Sequence, residues 1–254
     1  MTAEDVALQR LLDEGSTLAF PVTAYGSQPG QVYETCAPDA PRVGVSPTQG
    51  PTDLRTLVVV HGGYFRPAVD RTHARPMVRA LARAGWRVVL AEYRRVPGSP
   101  DATTDDLAAL DTHLREAGHD ITAWVGHSAG GALVMWRALQ HHLAPTRALA
   151  LAPVADFDTA VAEHLGADAV HDWVGADPQQ SSDLYARLDP TRLLAADSSA
   201  AQRISILHGD EDATVPLRQT QAWERTVLPG AHHFDVIDPA SPHWPSVLAA
   251  LTPR

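Results

Sequence analysis

The chain has 254 residues, 44% of them hydrophobic and 20% charged, which is the balance of an ordinary globular protein long enough to bury a sizeable core. Thirty acidic residues against 20 basic ones give a net charge of -10, and no basic run exceeds Arg94-Arg95, so neither a nucleic-acid partner nor docking on an anionic membrane is expected. All the basic residues apart from histidine are arginine, which removes Schiff-base chemistry and a lysine general base, and the single cysteine, Cys36, allows no intramolecular disulfide.

In chain order, residues 3–12 read as an amphipathic helix with Val6, Leu8, Leu11 and Leu12 as its apolar positions. The acidic start, Met1-Thr2-Ala3-Glu4-Asp5, is unlike a Sec signal peptide, and no window approaches the roughly 20 apolar residues of a membrane span, so a cytoplasmic protein is expected. Residues 31–36 read as an early strand and the Pro-, Gly- and Thr-rich stretch 41–53 as an exposed loop. Leu57-Val58-Val59-Val60 is a β-branched run of the buried-strand type. A helix over 72–84 closed by Gly85 follows, then a strand over 86–93 and a helix over 103–117 closed by Gly118. A short strand over 121–125 leads into a helix over 129–141, with Ala132, Leu133, Met135, Trp136 and Leu139 apolar. Residues 148–152 form a further strand ended by Pro153. The stretch 156–199 breaks this rhythm and reads as a small helical, cap-like insertion over the site. Strand returns at 204–207, helix at 217–226, residues 233–237 lie beside a last short strand, and 245–251 form a closing helix. Alternation of this kind predicts one α/β domain over residues 1–254, with a mostly parallel twisted sheet flanked by helices.

The chemistry concentrates in three places. Gly126-His127-Ser128-Ala129-Gly130 stands where a strand meets a helix. A turn that sharp strains the serine backbone, needs glycine on either side, and presents the hydroxyl at the end of a sheet: this is a nucleophile elbow. His61-Gly62-Gly63-Tyr64-Phe65 follows the Leu57–Val60 run, and the N–H groups of Gly62, Gly63 and Tyr64, with that of Ala129, are placed to form an oxyanion hole. His61 reads as a hydrogen-bonding structural residue and His127 as part of the turn. Downstream come an acid cluster, Asp210-Glu211-Asp212, and a histidine pair, His232-His233, and the residues alone leave the choice within each open. No H-E-x-x-H and no H-x-H with carboxylates at ligand spacing occurs, so no metal and no cofactor are expected.

His208-Gly209-Asp210-Glu211-Asp212-Ala213-Thr214-Val215-Pro216 resembles the α/β-hydrolase pattern H-G-x-x-D-x-x-V-P. That resemblance implies the α/β-hydrolase fold, Asp212 as the acid of a triad in the order Ser128, Asp212, His233, and His233 as the base because an aromatic residue follows it. Two blocks narrow it further. His61-Gly62-Gly63-Tyr64-Phe65 is similar to the H-G-G-Y-W signature of kynurenine formamidases (arylformamidases), with Phe for Trp. His233-Phe234-Asp235-Val236-Ile237-Asp238 resembles that family's H-F-D-x-x-E tail, with Asp for Glu. Tyr93-Arg94-Arg95-Val96-Pro97 with Asp105-Asp106 echoes the Y-R-x-x-P…D-D pattern of esterases related to hormone-sensitive lipase. The formamidase resemblance implies hydrolysis of an N-formyl aromatic amine such as N-formyl-L-kynurenine through a covalent formyl-enzyme. The alternative is a carboxylesterase acting on short-chain or aromatic esters. Tyr64, Phe65, Phe157, Trp173 and Tyr185 are the candidate ring contacts for a small-molecule substrate, and a monomer or homodimer is expected.

Overall fold

The computed structural model describes residues 2–38 and 55–252; the loop expected at 41–53 lies outside the described residues. Among the described residues eight strands form one sheet: β1 Val22–Ala24, β2 Val32–Cys36, β3 Arg55–Val60, β4 Arg87–Ala91, β5 Asp120–His127, β6 Arg147–Leu151, β7 Ile204–Gly209 and β8 Thr226–Leu228. They lie in the order β1-β2-β4-β3-β5-β6-β7-β8. β2 pairs antiparallel with β1 and with β4, and every other pairing is parallel.

Helices cover both faces, which is why the central strands are continuous apolar runs instead of alternating ones. The pleat sorts each run into two layers. Val58 and Val60 of β3, Val89 of β4 and Trp124 of β5 face one core. The helices of that face are α3 (Pro100–Glu116), which contributes Leu107, Leu110 and Leu114, and α4 (Ala129–Leu139). Leu57 and Val59, Val88 and Leu90, and Val125 face the other core. There α1 (Ala3–Thr17) contributes Leu11, α2 (Arg75–Arg83) contributes Met77 and Leu81, and α9 (Trp244–Leu251) contributes Trp244 and Leu251. The 156–199 stretch is a run of four short helices: α5 Phe157–Ala162, α6 Ala169–Val174, α7 Ser182–Leu188 and α8 Pro190–Ala196.

Expectation and structure part at residues 217–226. A single 3₁₀ turn, Leu217–Thr220, replaces the expected helix, and the chain then enters β8, an edge strand parallel to β7. The Arg225 guanidinium donates to the carbonyls of Thr220 at 2.8 Å and Trp223 at 3.3 Å, taking acceptors that a continuing helix would need. The Trp223 indole N–H donates to Thr191 Oγ1 at 3.0 Å, which ties the turn to α8. β1, a three-residue edge strand with all its residues exposed, has no apolar signal and was not expected.

Candidate active site

The strand order reverses at β3. From it the chain crosses to β4 on one side, then returns to place β5 on the other. In an open α/β sheet that reversal leaves a crevice beyond the carboxyl ends of the two strands. Ser128 stands at the end of β5 and His61-Gly62-Gly63 at the end of β3, so the fold brings the first two motifs together there.

Ser128 has φ 56° and ψ -120°, a strained conformation for a residue with a side chain. Its N–H donates to Leu151 O at 2.9 Å and its carbonyl accepts from Ala132 and Val154, so the main chain on both sides holds the strain in place. The flanking glycines are required by space. A Cβ on Gly126 would sit 2.1 Å from Gly130 O, and one on Gly130 would sit 2.2 Å from Val60 O. One on Gly62 would sit 2.9 Å from the Ser128 Cβ, which shows how closely the two motifs approach.

His233 and Asp212 meet beside this turn. His233 Nδ1 lies 2.8 Å from Asp212 Oδ2, and both residues are buried. A carboxylate can only accept, so the proton sits on Nδ1 and Nε2 carries the lone pair. Asp212 Oδ1 accepts from the Val215 N–H at 2.7 Å, and His208 Nε2 lies 3.4 Å from Oδ2. Burial opposes ionisation of Asp212, but the His233 imidazole and the hydrogen bonds from His208, His233 and Val215 hold its carboxyl well below the usual range. Of the neighbouring candidates, Asp210 accepts from the Gly230 N–H at 2.7 Å and His232 Nδ1 lies 3.0 Å from Glu211 O, so these residues tie the loops together at the surface. Among the described residues Ser128 Oγ and His233 are not hydrogen bonded to each other.

His127 links the elbow to the His233 segment. Its Nε2 lies 3.0 Å from the His233 carbonyl and its ring centroid 4.5 Å from that of His233. Burial, with the neighbouring imidazoles of His233 and His73, keeps His127 neutral far below the ordinary imidazole range. His61 is held between the Gly62 carbonyl at 2.6 Å and Glu92 Oε1 at 3.2 Å, which anchors the start of the glycine loop.

Gly63, Tyr64 and Phe65 take positive φ of 127°, 55° and 54° in succession. Among the described residues the N–H groups of Gly62, Gly63, Tyr64 and Ala129 donate to no protein acceptor, so they remain available to an oxyanion. Tyr64 and Phe65, with Val154, Leu165, Ala169, Val170 and Val215, line an apolar recess of about 10 Å³. Phe157, Trp173 and Tyr185 are placed differently. Phe65 stacks on Trp173 at 4.4 Å, Phe157 meets both rings edge-on at 6.0 Å, and the Tyr185 hydroxyl donates to Ala176 O at 2.9 Å. These three rings are closed off inside the core beneath the cap, because burying ring area outweighs lining an open cleft.

His208, which heads the H-G-x-x-D-x-x-V-P block, lies near the end of β7 and reaches the Asp212 carboxylate from there. One residue touches this arrangement without belonging to any motif: Glu4, whose carboxylate accepts from the N–H groups of Ala213 and His233. Nothing local to residues 1–5 points to that contact. Among the described residues no group of three or more His, Cys, Asp or Glu is arranged to hold a metal ion. No helix there is long and apolar enough to cross a membrane.

Comparison with known proteins agrees with this architecture. A family model described as the alpha/beta hydrolase family matches residues 57–252. No curated protein matches the chain in sequence. Among solved structures, esterase B from Lactobacillus rhamnosis is similar over 99% of this chain and 94% of its own, at 18% identity and TM-score 0.70. A propionate-bound thermophilic esterase from Thermogutta terrifontis is similar over 91% of each chain, at 19% identity and TM-score 0.61. A truncated carbohydrate esterase from gut microbiota is similar over 83% of this chain and 87% of its own, at 16% identity and TM-score 0.59. At such identities the likeness is one of fold.

Proposed function

This chain belongs to the alpha/beta hydrolase family, and from that premise we propose that it is a serine hydrolase cleaving small acyl groups from carboxylic esters. Ser128 is the nucleophile, His233 the base and Asp212 the acid. One observation carries the reading: a buried Asp212–His233 pair at 2.8 Å stands beside a serine held in a strained elbow at the sheet's crevice.

Ser128 attacks the acyl carbon while its proton passes to His233 Nε2. Asp212 fixes the tautomer and steadies the imidazolium. The oxyanion is received by the N–H groups of Ala129 and of Gly62, Gly63 or Tyr64, which need no reorganisation to meet it. Protonated His233 then gives its proton to the leaving alkoxide, and water cleaves the acyl-enzyme by the reverse relay. Ser128 and His233 draw into hydrogen-bond contact as substrate fills the site, as such pairs do.

The recess beside Tyr64 and Phe65 measures about 10 Å³, on the scale of one water molecule, so it offers no room for a long acyl chain. An esterase reading is supported by the names of the structural neighbours, one of them propionate-bound. A formamidase reading is favoured by His61-Gly62-Gly63-Tyr64-Phe65 and by the same small recess, because a formyl group carries only hydrogen beyond its carbonyl. It would use the identical relay, with His233 protonating a departing aniline nitrogen.

The deciding measurement is kcat/KM on p-nitrophenyl acetate, butyrate and octanoate against N-formylkynurenine. Acetate ester is expected to lead, with octanoate far behind. A formamide rate above every ester would transfer the assignment to the second reading. Ser128→Ala is expected to abolish fluorophosphonate labelling and to lower kcat by about 10⁴-fold or more. Full labelling or activity in that variant would overturn the serine mechanism altogether.

A further inference from the structure

We infer that Glu4, in the first turn of α1, is a positioning residue that ties the Asp212 loop to the His233 segment and thereby sets their spacing. The inference rests on the relay proposed above.

Glu4 is buried, and its carboxylate is wholly committed to these two loops. Oε1 accepts from the Ala213 N–H at 2.9 Å and from the His233 N–H at 3.1 Å, and Oε2 accepts from the Thr214 hydroxyl at 2.5 Å. A single group therefore joins the residue after the acid to the base itself, although Asp212 and His233 are 21 positions apart in sequence. Among the described residues Glu4 has no cationic partner, so its charge is met by hydrogen-bond donors and by the positive end of α1.

The docking of α1 is accomplished elsewhere along its length. Leu11 is fully buried in the core beneath the sheet. Gly15 lies so close to the Thr72 carbonyl that a Cβ there would come within 2.1 Å of it. The Arg10 guanidinium pairs with Asp238. The paired strands β7 and β8 and the Glu211–Ala231 and Gly230–Asp210 bonds already join the two loops at their bases; what Glu4 adds is a link between the residue after Asp212 and the main chain of His233 itself. Loss of that link would let the Nδ1–Oδ2 contact drift. Displacement of about 1 Å at a proton relay is enough to cost up to about 100-fold in rate.

The experiment compares Glu4→Ala, Glu4→Gln and Arg10→Ala in the full chain. Circular dichroism reports folding, NMR the downfield Nδ1 proton of His233, and p-nitrophenyl acetate kcat and KM. Glu4→Ala is expected to lower kcat about 10- to 100-fold with KM within about twofold, and to lose the Nδ1 signal to exchange. Glu4→Gln keeps an Oε1 for both N–H groups and is expected to restore the signal and most of kcat. Arg10→Ala, remote from the relay, is expected to behave as the unaltered protein. If Glu4→Ala fails to fold, Glu4→Asp carries the same expectation, since it keeps the charge but is one methylene short of the two N–H groups. Unchanged kcat and signal in Glu4→Ala would overturn the inference. So would equal losses in Arg10→Ala, or a Glu4→Gln no better than Glu4→Ala. If the unaltered protein turned over no ester or formamide, the hydrolase reading would fail separately. The Nδ1 signal would then decide Glu4 alone: lost in Glu4→Ala and kept in Glu4→Gln supports it, and kept in both overturns it.

Discussion

Ser128 at φ 56°, Tyr64 at 55°, Phe65 at 54° and Ala152 at 46° are all non-glycine residues in the left-handed region. All stand just past the carboxyl ends of β3, β5 or β6. Each conformation costs of order 1 kcal/mol or more and persists because packing on every side dictates it. Glycines make that packing feasible, and Gly130 offers the clearest test. In an ordinary helix, Gly→Ala would add about 1 kcal/mol of stability. Here the new Cβ would meet two main-chain oxygens, Val60 O at 2.2 Å and His61 O at 2.5 Å, and neither can rotate away. Overpacking of this kind costs about 1–3 kcal/mol, so the sign reverses. Gly130→Ala is expected to lower the urea midpoint and to reduce fluorophosphonate labelling of Ser128. An unchanged midpoint would show that α4 can slide away from β3.

At the scale of elements, α6 walls the recess in which the proposed esterase reading seats the acyl chain. Ala169 and Val170 on that helix, with Leu165 just before it, close the apolar recess against Tyr64 and Phe65. The stacked pair Phe65–Trp173 locks α6 onto the glycine loop, so the recess has rigid walls. Arg66 strengthens the same union by donating to the carbonyls of Gly166 at 3.1 Å and Ala167 at 2.6 Å. Removing side-chain volume from α6 therefore enlarges the recess instead of letting it collapse. Val170→Ala is expected to raise the butyrate-to-acetate ratio of kcat/KM about 10-fold, the worth of one or two methylenes in an apolar pocket. A ratio unmoved by this change would place the acyl group elsewhere.

Across the whole molecule, buried histidines make stability sensitive to acid. Burial first, and then the neighbouring His61, push the His73 imidazole down to about 3, and His127 is lowered well below the usual range by burial and by His233 and His73. The unfolded chain takes up a proton on His73 near 6.5, whereas the folded one refuses it until about 3. Between those values the unfolded state holds more protons, so stability falls as pH falls, by about 1.4 kcal/mol per pH unit for one such group. Asp212 acts lower down: its folded value is depressed, so its contribution is present above the ordinary carboxylate range and is lost only as pH falls beneath it. Urea titrations at intervals from pH 7 to 4 check this. The midpoint is expected to drop steadily, and His73→Phe, which removes a buried ring nitrogen lacking any partner, is expected to flatten the slope by about one proton. Parallel slopes for the two proteins would exonerate His73.

Local signals determined much of this protein from its sequence. Apolar runs gave strands, 3.6-residue periodicity gave α4, and Gly126-His127-Ser128-Ala129-Gly130 gave a strained turn, because each depends on sterics among residues a few positions apart. The tertiary structure alone decided the rest. It turned 217–226 into a 3₁₀ turn and an edge strand through Arg225 and Trp223, and it enclosed Phe157, Trp173 and Tyr185 within the core. It also brought Glu4 onto the Ala213 and His233 amides, more than 200 positions away. Such contacts are fixed by which strand lies beside which and by how helices settle over the sheet, and no window of neighbouring residues encodes that packing.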